Sequence, residues 1–199
     1  MKRTIICVTN RKLCRIPFLK QLQKIAKGGI DAIILREKDL TEEAYLSLAS
    51  ECLSVCREYA VPLIVNTVLP AAELLGVKAQ LSFSQLLAQS SENLKRFPKG
   101  FGVSVHSRGE AGYAARCGAD FLIAGHIFPT ECKLDLPARG PEFLRKLSST
   151  VQIPVFAIGG ISAENAAPLW EQGAAGLCLM SGMMQAADPA RLISALRQE

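Results

Sequence analysis

The chain has 199 residues, of which 49% are hydrophobic, and it carries a formal net charge of +5. This length and hydrophobic content suffice for one domain with a substantial core, and no apolar run approaches the roughly 20 residues of a transmembrane helix. The basic residues are spread along the chain without an aromatic-interleaved block, which argues against nucleic-acid binding. We therefore expect a cytoplasmic protein that binds neither nucleic acid nor a membrane. The modest positive charge suits a phosphorylated small molecule.

Apolar, β-rich runs alternate along the chain with amphipathic segments. The predicted strands cover residues 4–8, 32–35, 63–65, 79–82, 102–105, 121–124, 155–158 and 176–180. The predicted helices cover residues 18–27, 41–59, 71–75, 90–96, 109–117, 141–147, 163–172 and 189–197. Thr41 and Ser162 are the predicted N-caps of two of these helices, because their hydroxyls can accept from the first free N–H groups.

Eight mostly apolar strands that alternate with helices predict a parallel sheet covered on both faces. Eight is also the number of strands that closes into a (β/α)8 TIM barrel, and an open doubly wound sheet is the alternative. We see no domain boundary, so residues 1–199 are expected to form a single TIM-barrel domain. Chemistry in such a barrel is placed at the carboxyl ends of the strands.

Seven cysteines are scattered through the sequence, several of them inside apolar segments. Cys52 and Cys56 would share one face of a helix, but no further zinc ligands lie near them. The sequence therefore predicts reduced thiols that act as small hydrophobic residues, without a metal site.

Two glycine-bearing loops follow the last two predicted strands. Gly159 and Gly160 come after one, and Ser181 and Gly182 after the other. Glycines let backbone N–H groups approach an anion, and phosphate sites of barrels are often built from the loops after strands seven and eight. These loops predict a phosphate site, although a tight turn would explain either pair alone.

Polar residues also end several earlier strands. Arg36 and Lys38 follow the second strand and could reach one anionic group, unless they form a solvated charged loop. Asn66 could orient a substrate through its amide or cap the next turn. Ser104 could bind an anion, and His106 is a ligand contact, a cap or a surface residue.

The segment from Gly125 to Lys133 places one of only two histidines directly after a buried strand. Because an imidazole carries protons in both directions near neutral pH, His126 is a candidate general acid–base residue, with a structural role as the alternative. A polar loop over residues 130–140 follows and could close over a substrate.

In their order and spacing, these segments resemble the thiamine phosphate synthase superfamily. The resemblance runs from about residue 4 to residue 197 and rests on residues 35–39, Asn66, residues 104–106, 125–133, 158–161 and 181–182. It implies a TIM barrel and a homodimer. In the synthase branch, which joins an aminopyrimidine diphosphate to a thiazole phosphate, it also implies two aspartates that hold Mg²⁺.

The sequence departs from the synthase pattern at both metal positions, where it has Thr67 and Gln85. Mg²⁺ prefers carboxylate oxygens, so these residues predict the loss of most of the protein's hold on the metal. Three further departures weaken the half of the site that would bind the pyrimidine diphosphate, namely Ile34, His126 and Cys132. The two phosphate loops, in contrast, match the family.

This selective pattern resembles the TenI-type branch, the thiazole tautomerases, in which a histidine at the position of His126 is the acid–base residue. The resemblance implies a proton shift that aromatises a carboxylated dihydrothiazole phosphate without a metal or redox cofactor. The residues implied for the phosphate are Gly159, Gly160, Ser181 and Gly182. Those implied for the rest of the substrate are Arg36, Lys38, Asn66, Ser104, Thr130 and Lys133. The sequence does not decide whether Arg36, Lys38, Ser104 or Lys133 binds the carboxylate.

Two alternatives remain open. The first is a residual thiamine phosphate synthase in which substrate oxygens, with Glu37 or Asp39, hold Mg²⁺. The second is a non-catalytic regulator that binds a thiazole or thiamine phosphate. Homodimer formation is an expectation from the resemblance, because the sequence shows no decisive exposed apolar face.

Overall fold

The computed structural model describes residues 3–97, 99–130 and 136–198. Eight parallel strands pair in chain order, and the last pairs with the first, so the sheet closes into a barrel. The strands are β1 (Thr4–Val8), β2 (Ala32–Leu35), β3 (Leu63–Asn66), β4 (Lys78–Ser82), β5 (Phe101–Val105), β6 (Phe121–Gly125), β7 (Val155–Ile158) and β8 (Gly176–Leu179). The predicted (β/α)8 TIM barrel is confirmed.

Helices follow or connect the strands on the outside of the barrel. They are α1 (Phe18–Lys27), α2 (Glu42–Glu58), α3 (Leu69–Leu75), α4 (Phe83–Leu87), α5 (Ser91–Leu94), α6 (Arg108–Arg116), α7 (Gly140–Ser148), α8 (Ala167–Glu171), α9 (Ser181–Met184) and α10 (Pro189–Arg197), with a 3₁₀ turn at Arg11–Leu13. Within the described residues, no helix is both long and apolar enough to span a membrane.

One predicted helix is wrong at its start. The sequence predicts a helix over 163–172 capped by Ser162, but α8 begins only at Ala167. Pro168 has no N–H to donate backwards and disfavours a helical residue before it, so it is tolerated only in the first turn. The side chain of Asn165 accepts from the backbone N–H of Ser162 over 2.8 Å instead. The predicted Thr41 cap is confirmed, because its hydroxyl accepts from the N–H of Ala44 over 3.3 Å.

Two apolar clusters result from this arrangement. The larger one lies between the strands and the helices. The smaller one fills the barrel interior and consists of Ile6, Val8, Ala32, Ile34, Ile64, Phe121, Ile123 and Cys178. Alternate strand residues point to opposite sides, so β1, β2, β3, β6 and β8 contribute buried residues to both clusters. The open space of the barrel is therefore confined to the carboxyl ends of the strands.

The described cysteines are free thiols, and most are buried in these clusters. Burial raises the pKa of the Cys56 thiol to about 11, because a buried thiolate would lose its hydration. No group of three or more potential metal ligands forms among the described residues. The prediction that the thiols act as small hydrophobic residues agrees with this burial.

Candidate functional site

A cavity of about 290 Å³ opens at the carboxyl ends of the strands. It brings together nearly all the site residues that the sequence predicts. These residues come from the ends of strands that are far apart along the chain. The predicted residues that line it are Arg36, Lys38, Asn66, Ser104, His106, His126, Thr130, Gly159, Gly160, Ser181 and Gly182. Lys133, the remaining predicted residue, lies outside the described part of the chain.

The two predicted phosphate loops meet at one side of this cavity, after β7 and β8. Gly159 and Gly160 have φ angles of 103° and 66°, values that L side chains rarely adopt. A Cβ on Gly160 would lie 2.4 Å from the carbonyl oxygen of Pro129, so only glycine fits there. Ser181 opens α9, and the first N–H groups of a helix have no partner within the helix. These loops can therefore present N–H donors to an anion.

Arg36 extends towards the same side of the cavity. Its guanidinium lies 3.9 Å from the sulfur of Met180, the residue that joins β8 to Ser181. No described carboxylate pairs with Arg36, so its positive charge is available to an anion near the phosphate loops. Lys38 lies at the exposed rim of the cavity.

The acidic residues beside Arg36 do not face the cavity. Glu37 is buried, and its carboxylate accepts from the hydroxyl of Thr9 over 2.7 Å and from the guanidinium of Arg11 over 3.0 Å. Asp39 pairs with Arg11 and with Lys12, at 2.6 and 2.8 Å. Basic groups outside the cavity thus engage both carboxylates, and this arrangement argues against the alternative in which Glu37 or Asp39 helps to hold Mg²⁺.

Thr67 and Gln85, which occupy the two metal positions of the synthase pattern, also stand away from the cavity. The side-chain amide of Gln85 donates to the carbonyl of Thr67 over 2.8 Å and completes a capping box with Ser82 at the start of α4. An amide and a hydroxyl are poor ligands for Mg²⁺ compared with two carboxylates. The described residues consequently do not fit the metal that the synthase branch uses.

A buried tyrosine contacts the backbone of Asn66 and holds it in place. The hydroxyl of Tyr45, on α2, donates to the carbonyl of Leu35 over 2.5 Å and lies 3.2 Å from the backbone nitrogen of Asn66, which can donate to it. Burial raises the pKa of Tyr45, so the hydroxyl stays protonated at neutral pH. Tyr45 thus joins the ends of β2 and β3, where Arg36 and Asn66 enter the cavity.

Gln80 is a cavity residue that the sequence analysis missed. It is 1% exposed, and its amide nitrogen donates to the hydroxyl of Ser104 over 3.0 Å. Its side-chain oxygen is buried and has no hydrogen-bond partner among the described residues. The signal that could have revealed it is an amide placed between two apolar residues, Ala79 and Leu81, in the register that alternates with theirs.

His126 is 5% exposed and lies at the wall of the cavity. Its Nε2 is 3.1 Å from the carbonyl oxygen of Leu136. Because a carbonyl only accepts, Nε2 carries the proton of the neutral ring, and Nδ1 is the nitrogen that keeps a lone pair. The backbone of His126 is held as well, since its carbonyl accepts from the N–H of Arg139 over 3.1 Å. The described part of the loop over residues 130–140 thus packs against this histidine.

His106 is exposed on one side and supports the segment that carries His126. Its Nδ1 lies 3.0 Å from the carbonyl oxygen of Gly125, and its backbone N–H donates to the carboxylate of Glu110 over 2.7 Å. The first contact requires a proton on Nδ1. Both histidines therefore have one ring nitrogen bonded to a backbone carbonyl. The ring of His126 is held in this way inside the cavity wall, where it is buried, whereas the ring of His106 is exposed on one side.

Comparison with known proteins identifies the family. Residues 5–183 match the TMP-TENI family model, described as thiamine monophosphate synthase. The thiamine-phosphate synthase of Syntrophomonas wolfei is 35% identical over 190 residues, covering 93% of this chain and 90% of that protein. The thiamine-phosphate synthase of Methanobrevibacter smithii is 32% identical, with 94% and 90% covered.

The solved structures agree with this. The thiamine phosphate pyrophosphorylase of Pyrococcus furiosus superposes with a TM-score of 0.84 at 30% identity, covering 98% of this chain and 94% of that one. A 3-hexulose-6-phosphate synthase, with a TM-score of 0.71 at 18% identity, shares the fold alone. The ordered motifs, the closed barrel and the match over most of the sequence together show that the chain belongs to the thiamine monophosphate synthase (TMP-TENI) family.

Proposed function

We propose that the protein is a thiazole tautomerase of thiamine biosynthesis, an enzyme that aromatises a carboxylated dihydrothiazole phosphate by moving one proton. The observation that supports this most is the placement of His126, whose free Nδ1 belongs to a ring buried in the cavity wall. The absence of carboxylates at Thr67 and Gln85 also supports a reaction without a metal. The proposal includes a small phosphorylated thiazole as partner and assigns no cofactor.

The residues present account for each step of this reaction. The loops at Gly159 and Ser181, with Arg36 beside them, bind the phosphate and so fix the ring. Nδ1 of His126 takes the proton from the ring carbon next to the carboxylate, and the C–H electron pair passes into the ring. The exocyclic carbon–carbon double bond then shifts, and its outer carbon receives the same proton from Nδ1. No atom is gained or lost overall, and no electron is transferred.

The carbonyl of Leu136 contributes to the same step. When Nδ1 takes the proton, the imidazole becomes positively charged, and its Nε2–H···O bond to Leu136 becomes a stronger, charge-assisted one. That contact stabilises the intermediate and holds the ring in place for the return of the proton. The burial of His126 limits loss of the proton to water.

A second candidate function is the thiamine-phosphate synthase reaction, which the names of the relatives favour. The relatives from Syntrophomonas wolfei and Methanobrevibacter smithii, at 35% and 32% identity, carry that name, and by name alone they support the synthase over the tautomerase. The side chains at the two metal positions support it less, because the described residues offer no carboxylate pair there. A non-catalytic binding protein would share the phosphate loops but would not need Nδ1 of His126.

The test is proton NMR in D₂O with enzymatically generated dihydrothiazole carboxylate phosphate, comparing the wild type with His126→Asn. Faster aromatisation by the wild type, lost in a folded variant that still binds product, is expected. A wild-type rate equal to that of buffer would reject the tautomerase. A parallel sample with aminopyrimidine diphosphate, thiazole phosphate and Mg²⁺ separates the alternatives, since thiamine phosphate formed there indicates a synthase.

A further inference from the structure

Among the described residues, the barrel interior contains a buried amide whose hydrogen bonding is incomplete. Gln80 lies in β4 and faces the same interior as the apolar cluster of Ile6, Ile34 and Phe121. A Cβ on Gly102, its partner in β5, would lie 2.5 Å from the Gln80 side-chain oxygen and 2.2 Å from the ring of Phe121. The missing side chain of Gly102 therefore makes the room for this amide. Burying an amide oxygen without a donor opposes folding, so stability does not explain its presence.

The orientation of the Gln80 amide follows from its neighbours. The nitrogen donates to the hydroxyl oxygen of Ser104 over 3.0 Å and lies 3.4 Å from the carbonyl oxygen of Leu81. With the amide reversed, its oxygen would face the Leu81 oxygen, and two acceptors would oppose each other. The nitrogen is therefore the atom on the side of Ser104.

This contact determines what Ser104 can offer to a ligand. A hydroxyl has one hydrogen to donate, and since Ser104 accepts from Gln80, that hydrogen stays free. It meets no acceptor among the described residues, and Ser104 is half-buried at the cavity wall. Ser104 is thus a neutral donor for an acceptor atom of the bound molecule.

The position of Ser104 in the barrel selects which end of the molecule it meets. In a closed barrel of eight strands, β4, which carries Gln80, lies opposite β8, and β5, which carries Ser104, lies opposite β1. The phosphate loops and Arg36, which contacts Met180 over 3.9 Å, are on the side of β7 and β8. A thiazole held there by its phosphate therefore directs its other polar substituent towards the opposite wall, where Gln80 and Ser104 lie.

We propose that Ser104, aimed by Gln80, is the donor that recognises the carboxylate of the thiazole, with Gln80 acting as a positioning residue for Ser104. This rests on the proposed function for the identity of the carboxylated ligand. A neutral donor binds the carboxylate without the strong ion pair that a lysine would form. Discrimination between carboxylated and decarboxylated thiazole phosphates then depends on one hydroxyl and the amide that orients it.

The experiment measures binding of two stable compounds by calorimetry, the aromatic thiazole phosphate with its carboxylate and the same compound without it. The wild type is expected to prefer the carboxylated compound, and Ser104→Ala is expected to reduce that preference roughly ten- to hundredfold, the size of one hydrogen bond to a charged group. Inorganic phosphate, measured in parallel, should bind the wild type and Ser104→Ala equally, because the loops expected to bind phosphate are on the other side of the cavity.

A substitution at Gln80 separates positioning from structure. Gln80→Met should retain or increase thermal stability while losing most of the preference, because it removes an unpaired buried oxygen together with the donor that orients Ser104. Gln172 is the matched control, because its buried side-chain oxygen also has no hydrogen-bond partner in the described part of the chain, but it does not line the cavity. Gln172→Met should leave the preference unchanged.

The outcomes distinguish this inference from the proposed function. An unchanged preference in folded Ser104→Ala overturns the assignment of Ser104, even if the wild type aromatises its substrate. Equal binding of both compounds by the wild type overturns it as well. If neither compound binds the wild type, both the assignment and the thiazole phosphate site are rejected. A lost preference in a protein that does not accelerate aromatisation supports the carboxylate site and rejects the tautomerase.

Discussion

Gly159 lies directly against His126: an ideal Cβ on the glycine would be 2.4 Å from the Cβ of the histidine. The backbone of the next residue, Ile127, also donates to the carbonyl of Ile158 over 2.9 Å. The loop expected to bind the phosphate therefore forms part of the wall that holds the expected proton carrier. Binding of the phosphate and placement of the imidazole are linked through this close approach.

Gly159→Ala is expected to move His126 and to slow aromatisation by about a hundredfold, because displacement of a reacting group by about 1 Å has an effect of this size. The substitution also places a side chain at a φ of 103°, which costs about 1–2 kcal/mol of stability. Single-turnover rates and thermal unfolding would measure the two effects.

Gly29→Ala is the matched control for that substitution. Gly29 has a φ of 88°, and its Cβ would meet nothing within 4 Å. Gly29→Ala should lower stability by a similar amount, because it also places a side chain at a positive φ, and it should leave the rate unchanged. If Gly159→Ala and Gly29→Ala had equal rates, the contact between Gly159 and His126 would have no catalytic importance.

His106 is expected to act as a positioning residue, because its Nδ1 holds the carbonyl of Gly125 at 3.0 Å. His106→Phe removes this hydrogen bond, which contributes about 1 kcal/mol. We therefore expect kcat to fall roughly fivefold, with little change in KM. His106→Asn keeps a donor near the Nδ1 position and should recover most of the rate.

The pH profile of kcat provides the control for this prediction. If His106 only supports the segment, the profile of His106→Asn keeps the shape of the wild type, because the proposed proton carrier, His126, is unchanged. A profile that loses one limb in His106→Asn would show instead that His106 exchanges protons with the substrate.

The ion pairs of Arg11 and Lys12 with Asp39 predict a pH-dependent contribution to stability. Hydrogen bonds from Arg11 and then Lys12 lower the pKa of Asp39 well below its usual range. A carboxylate with a lowered folded pKa stabilises the fold above its unfolded pKa of about 4 and loses that contribution as the pH falls further. Asp39→Asn should therefore be less stable than the wild type at pH 7, and the two should converge as the pH approaches 2.

Urea unfolding midpoints at pH 7 and at low pH would measure this difference. Asp39 is exposed, so the effect should be small and should shrink in 0.5 M salt. Glu92→Gln removes one partner of a more exposed pair, with Lys95, and should change the midpoint at neither pH. A gap between Asp39→Asn and the wild type that stays constant from pH 7 to low pH would contradict the linkage.

The sequence by itself determined the barrel and most of the residues around its mouth. Apolar runs of four or five residues, separated by amphipathic helices, leave few ways to bury both faces of a parallel sheet. The strands over 4–8, 32–35 and 155–158 have the predicted bounds. Residues such as Arg36, Asn66 and His126 could be predicted because strand ends converge in a barrel and polar residues there stand out against the apolar strands.

Only the tertiary structure decided how these residues are engaged. Glu37 and Arg36 are neighbours in sequence, yet one is buried against Arg11 and the other extends towards Met180. Gln80 could not be assigned from the sequence, because its role depends on space left by Gly102 and on contact with Ser104, 24 residues away. Hydrogen-bond partners from distant segments are chosen by strand register and packing, which periodicity within one segment does not encode.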